Sequence, residues 1–144
     1  MSQENVELVR RVYSATPGLR DSDPAADREF LDRMLGDFFD ADLTWHLPPE
    51  YPEGAQLARG RDGLRAFIAM LREAWSEWRF VPERFFDAGD RVLVFVHVVA
   101  VGRESGVPID LETAHLWTIR AGRAESARIY RDRLEALEAA GLRE

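Results

Sequence analysis

Three apolar runs late in the chain, residues 92–101, 109–119 and 124–130, most restrict what it can fold into. Gly-containing connections join them, and the three runs read as apolar strands of one sheet. The second connection, Arg120-Ala121-Gly122-Arg123, has the form of a tight hairpin with Gly where a positive φ is needed. His97 sits in the middle of the first run and His115 in the middle of the second. Apolar strands carrying one titratable group each read as the wall of a pocket, which points to small-molecule function.

The residues before these runs are mostly helical in pattern. Val6, Val9, Val12 and Tyr13 share one face of a first helix, with Ser2 able to cap it and Pro17-Gly18 to end it. A second helix starts near Asp23-Pro24 and carries Phe30, Met34, Leu35 and Phe38. A short strand over 43–47 follows, then an extended Pro-containing loop over 48–59. Leu64, Phe67, Ile68, Leu71 and Trp75 recur at helical spacing, the clearest amphipathic helix of the chain, with Asp62 as its expected cap. Strand patterning resumes over 79–81 and 83–86, and Leu134 and Leu137 suggest a short last helix stopped at Gly141. The order predicts an α+β fold: three N-terminal helices packed in the concave face of a strongly curved antiparallel sheet, with a short C-terminal helix.

The run at 92–101 is apolar at nearly every position. Val94, Val96 and Val98 point one way, and Leu93, Phe95, His97 and Val99 the other. A strand apolar on both faces is covered on both. The helices cover one, so the sequence predicts a homodimer through the outer sheet face.

At 144 residues, 46% apolar and 31% charged, the chain is expected to be one globular domain spanning 1–144. A net charge of −7 disfavours nucleic acid and anionic membranes as partners. The absence of cysteine excludes disulfides, thiolate metal sites and cysteine nucleophiles. No run reaches bilayer-spanning length and the N-terminus lacks signal-peptide features, so the expected compartment is the cytoplasm. The three histidines lie far apart with no HxxxH or HxH pair, no phosphate loop or Gly-x-Ser-x-Gly elbow occurs, and neither metal nor cofactor is expected.

The segments SQENVELVRRVY (2–13), ADLTW (41–45), GRDGLRAFIAMLREAW (60–75), DAGDRVLV (87–94), AHLWTIRAGR (114–123) and YRDRLEALEAAGL (130–142) resemble the SnoaL-like branch of the nuclear transport factor 2-like superfamily. That resemblance implies a cone, a bent antiparallel sheet around helices with a pocket open at one end. Its members span ketosteroid isomerase, scytalone dehydratase, limonene epoxide hydrolase, polyketide cyclases and interaction modules, so the fold leaves the chemistry to the site.

With the family's concave face as a guide, Leu111, Thr113, His115, Trp117 and Ile119 share one side of their strand. If Leu93, Phe95, His97 and Val99 also face inward, His97 and His115 look into one cavity. Its aromatic and apolar walls are then Tyr13, Trp45, Phe67, Leu71, Trp75, Phe95 and Trp117, suited to a small hydrophobic or aromatic molecule. The resemblance puts His115 where ketosteroid isomerase carries its oxyanion-hole acid, a place from which imidazole could donate to an oxyanion. His97 could serve as general acid or base, and scytalone dehydratase likewise uses paired histidines. The isomerase's carboxylate base matches Leu47, which takes no proton, and its tyrosine falls at Val12, beside Tyr13. Asp132 lies where some SnoaL-like cyclases place an acid/base aspartate, with Arg131 the alternative inward residue, favouring an anionic or carbonyl-bearing ligand. Against these readings, a single strand histidine is commonly a hydrogen-bonded core residue, and Asp132 could simply cap the last helix. The functional classes left open are a binding protein, a cofactor-free cyclase, isomerase or dehydratase, and a protein-interaction module.

Overall fold

The computed structural model describes residues 2–15, 24–48 and 57–142. Its strands are β1 (Phe39–His46), β2 (Leu57–Arg59), β3 (Trp75–Ala88), β4 (Arg91–Gly102), β5 (Pro108–Arg120) and β6 (Arg123–Tyr130). Its helices are α1 (Ser2–Ala15), α2 (Pro24–Asp37), α3 (Gly60–Ala74) and α4 (Arg133–Ala139). The strands form one sheet in the order β2-β1-β6-β5-β4-β3. From β3 to β6 the chain meanders antiparallel, and β1 joins β6 in parallel. The expected α+β architecture is the one observed.

Local differences have local causes. The segments expected at 79–81 and 83–86 are one strand, β3, with a bulge between Pro82 and Arg84. β3 is an edge strand, which is where a proline without an N–H can sit, and the bulge takes up the lost ladder bond. β1 begins at Phe39, earlier than expected, because Phe39 already pairs with Ala124. Residues 57–59, expected as loop, form β2 against the end of β1. The N-cap of α3 is Arg59, without a side-chain hydrogen bond, and Asp62 stands in the first turn rather than capping. A Cβ at Gly63 would lie 2.9 Å from the carbonyl carbon of Ala58, so glycine lets α3 approach β2. The helix stop at Pro17-Gly18 and residues 49–56 of the expected loop lie outside the described residues.

Helices α1, α2 and α3 cover one face of the sheet. Val9, Val12, Leu31, Met34, Leu64 and Ile68 pack there on Leu43, Val92, Val94, Val96, Trp117 and Ala127. Each fully buried valine or leucine of this layer, such as Val94 or Leu43, stabilises the fold by roughly 1.5–3 kcal/mol. The short helix α4 lies on the other face, with Ala136, Leu137 and Ala140 on Leu93, Ala114 and Leu116. Thus the second apolar face of β4 is covered partly within the chain, and its composition alone does not require a second subunit. Gly141, at φ 73°, ends α4 as expected, and Leu142 N donates to Leu137 O at 2.9 Å. No helix among the described residues is long and apolar enough to cross a membrane.

Candidate functional site

The β4–β5 register decides which side chains meet. Val94 pairs with His115, while His97 pairs with Glu112. Directly opposed residues on antiparallel strands project from the same face. His115 therefore lies on the helix side with Val92, Val94 and Val96. His97 lies on the outer side with Leu93 and Phe95. The expectation that both histidines look into one cavity is corrected here. Alternation divides β4 into two sets, but both sets are apolar, so the sequence does not say which one meets the helices.

His115 is fully buried. Its Nδ1 is hydrogen-bonded to the Tyr13 hydroxyl at 2.6 Å, and that hydroxyl accepts from Trp117 Nε1 at 3.0 Å. Burial pushes the His115 pKa down to about 3, so the ring is neutral near neutral pH. Burial also pushes the Tyr13 phenol up, against the opposing hydrogen bond from Trp117, and keeps it protonated. His115 Nε2 is buried and has no hydrogen-bond partner among the described residues. Its ring lies 4.8 Å from Phe80 and 5.7 Å from Trp45, each edge-to-face.

Phe80 and Trp45 belong to the wall of a recess of about 60 Å³. Leu47 and Pro48 at the end of β1, Phe67 of α3, Trp78 of β3, Val98 of β4, Leu111 and Thr113 of β5, Ile129 of β6 and Arg131 complete the lining. The recess unites four expected ligand residues: Trp45, Phe67, Thr113 and Arg131. Tyr13 and Trp117 sit behind it in the core, and His115 lies one aromatic layer back. Leu71 and Trp75 pack in the cluster around Trp78 and Val98 instead. Phe95 is on the outer face, 4.8 Å from Phe86. The sequence gives no signal for Trp78, Phe80, Val98 and Ile129 at the recess, whereas Leu111 shares the readable parity of Thr113.

Polar groups at the recess are few. Thr113 Oγ1 donates to Val96 O at 3.1 Å. Trp45 Nε1 and Trp78 Nε1 are buried without hydrogen-bond partners among the described residues. Among the described residues, Arg131 is the only charged side chain of the lining. The alternative between Arg131 and Asp132 is resolved by the start of α4. Asp132 Oδ1 accepts from Leu134 N at 2.8 Å and Glu135 N at 3.3 Å, so this carboxylate caps the helix.

On the outer face His97 bridges two carboxylates, with Nδ1 2.5 Å from Asp110 Oδ1 and Nε2 2.6 Å from Glu83 Oε1. Glu83 is the extra residue of the β3 bulge. The hydrogen bond that His97 donates to Asp110 is the chief cause that raises its pKa, the opposite direction from His115. Arg133 joins the group, 2.6 Å from Glu83 and 3.2 Å from Glu112, with its guanidinium over Phe95. Ligand atoms of Glu83, His97 and Glu112 lie within 4.8 Å of one another, near enough for a metal ion. The cation seated among these carboxylates is instead Arg133.

The family model for the SnoaL-like domain matches residues 22–127, and the chain belongs to that family. No curated protein matches the sequence. Among solved structures, the chain is similar to an NTF2-like protein of Burkholderia pseudomallei: 25% identity, 94% of this chain and 95% of that one covered, TM-score 0.70. It is similar in fold to a protein with cystatin-like fold from Xanthomonas campestris at 16% identity, covering 96% and 98% of the two chains, TM-score 0.66. TerC, co-crystallised with polyporic acid, shares the fold at 24% identity, covering 96% and 98%, TM-score 0.67.

Proposed function

We propose that the chain binds a small hydrophobic, ring-containing molecule at the recess. The observation that carries this reading is the lining, in which four aromatic rings and five aliphatic side chains surround one threonine and one arginine. Ligand sites combine an apolar wall with a few placed polar groups in this way. An enclosed cavity of about 150 Å³ holds a benzene molecule. At about 60 Å³ the recess takes only part of a ring, and the rest extends past Leu111, which is 40% exposed.

Quenching of tryptophan fluorescence by a panel of one- and two-ring aromatics tests the reading, with Leu111→Trp as the blocked control. Binding that Leu111→Trp removes, at unchanged melting temperature, supports it. A panel without a binder, or binding indifferent to Leu111→Trp, refutes it.

The Tyr13–His115 pair supports a second reading, a cofactor-free cyclase, isomerase or dehydratase, in which the Phe80 and Trp45 rings part to bring a ligand to the unpartnered His115 Nε2. A ring with a pKa pushed to about 3 is a weak base, so its contribution would be a hydrogen bond rather than proton abstraction. Product formation lost in His115→Gln while ligand binding survives distinguishes this reading from binding alone. The expected homodimer stays part of the proposal on the outer-face residues Val81, Val99 and Val101 of β3 and β4. A monomeric mass by light scattering removes it.

A further inference from the structure

Two tryptophans that line the recess carry indole donors without acceptors. An indole N–H can only donate, and both Trp45 and Trp78 keep theirs buried and unpartnered among the described residues. Their residues are only 6% and 7% exposed, so solvent does little to satisfy them. Buried polar groups are nearly always paired, and two unpaired donors on residues of one recess call for a reason. Arg131 lines the same space and takes no part in the ion pairs found among the described residues. The Thr113 hydroxyl already spends its hydrogen on Val96 O. No carboxylate is among the described residues of the lining.

Resting on the reading of the recess as a ligand site, we propose that its ligand is an aromatic ring bearing an anionic oxygen, above all an aryl carboxylate. The ring occupies the space between the aromatic walls. Its oxygens accept from the indole N–H groups and pair with the Arg131 guanidinium, whose planar fork matches a carboxylate. Trp45, Trp78 and Arg131 line one space of about 60 Å³, which suits a ligand of one ring and one acid group. An arylammonium is rejected twice, by Arg131 and by donors that offer it no acceptor.

Four probes of one size separate the possibilities: benzoate, benzyl alcohol, benzylammonium and toluene. Each is titrated into ¹⁵N-labelled protein, whose four tryptophans give four indole N–H signals. Trp45→Phe and Trp78→Phe assign two of them. The expected result is that benzoate binds tightest, moves the Trp45 and Trp78 signals downfield, and binds at least tenfold more weakly to Arg131→Met. Benzylammonium does not bind. Arg131 is exposed, so Arg131→Met is expected to fold, and an unchanged melting temperature checks this. Toluene binding as tightly as benzoate, with Arg131→Met unchanged, overturns the anionic ligand and leaves the apolar recess as a site. Failure of all four probes overturns both.

Discussion

The hydroxyl of Tyr13, on α1, lies 2.6 Å from Nδ1 of His115, on β5, and receives the Trp117 indole N–H at 3.0 Å. One phenol thus serves two ring nitrogens of the sheet inside a core that offers no water-exposed alternative. The bond ties the first helix to the strand that carries the recess-lining Thr113. It also accounts for one of the two nitrogens of a histidine that burial keeps uncharged.

Tyr13→Phe tests how much this arrangement stabilises. The substitution keeps the ring and leaves His115 Nδ1 and Trp117 Nε1 without the phenol. An orphaned buried donor or acceptor costs about 1–3 kcal/mol, so the variant is expected to lose roughly 2–4 kcal/mol in urea denaturation. A loss below about 0.5 kcal/mol would mean that the two nitrogens find other partners or reach water.

Much of this core was legible from periodicity. The helical spacing of Val9, Val12 and Tyr13 and of Leu64 and Ile68 placed these residues against the sheet, and the parity of Thr113, His115 and Trp117 grouped them correctly. His97 was misplaced because a strand apolar on both sides carries no sign of which side faces in; only the pairing of Val94 with His115 supplies it. The bulge at Glu83, which brings that carboxylate to His97, depends on edge-strand geometry that local composition does not encode. Cover of Leu93 and Leu116 by α4 is a long-range contact, and without it the outer face looked unsatisfied. Trp78 and Phe80 entered the recess unannounced for the same reason, since their facing depends on how β3 joins β4.

Asp132 is expected to act on stability alone. Asp132→Ala removes the cap of α4 and costs about 1 kcal/mol. Asp132→Asn keeps an accepting side-chain oxygen and restores most of it. Neither change is expected to alter ligand affinity at the recess. A tenfold loss of affinity or turnover in the asparagine variant, at full stability, would return Asp132 to the functional site.

The β5–β6 turn holds a small reserve of stability. Ala121 and Gly122 both have positive φ, 51° and 76°, as a type I′ turn demands. Gly122 adopts this freely, whereas alanine is strained there by its Cβ. Ala121→Asn gives the favoured Asn-Gly pair and is expected to stabilise by about 0.5–1 kcal/mol, raising the melting temperature by roughly 1–4 °C. A lower melting temperature would show that the strain is compensated elsewhere in the hairpin.

His97 makes the outer face pH-dependent. Two carboxylates on its two nitrogens favour the imidazolium, and the raised folded pKa follows chiefly from Asp110. A histidine whose pKa is higher folded than unfolded stabilises fully below the unfolded value of about 6.5. That contribution disappears as pH rises through the folded pKa. The stability gap between the wild type and His97→Gln is therefore expected to be widest near pH 6 and to narrow toward pH 9. A gap of constant size across that range contradicts the bridged imidazolium.

His115 works in the opposite sense. Folded, its pKa is held down to about 3, whereas the unfolded chain takes up the proton near 6.5. Between those values only the unfolded state is charged at this residue. Stability is then lost on acidification at about 1.4 kcal/mol per pH unit, and is fully present above pH 6.5 or so. Imidazole signals followed by NMR check both histidines in one titration: the His115 signals are expected to stay still from pH 8 down to about 4.5, while those of His97 move with a midpoint above the ordinary value. A His115 midpoint near 6.5 would mean that water or a counter-charge reaches Nε2, and the aromatic layer formed by Phe80 and Trp45 would then be open rather than sealed.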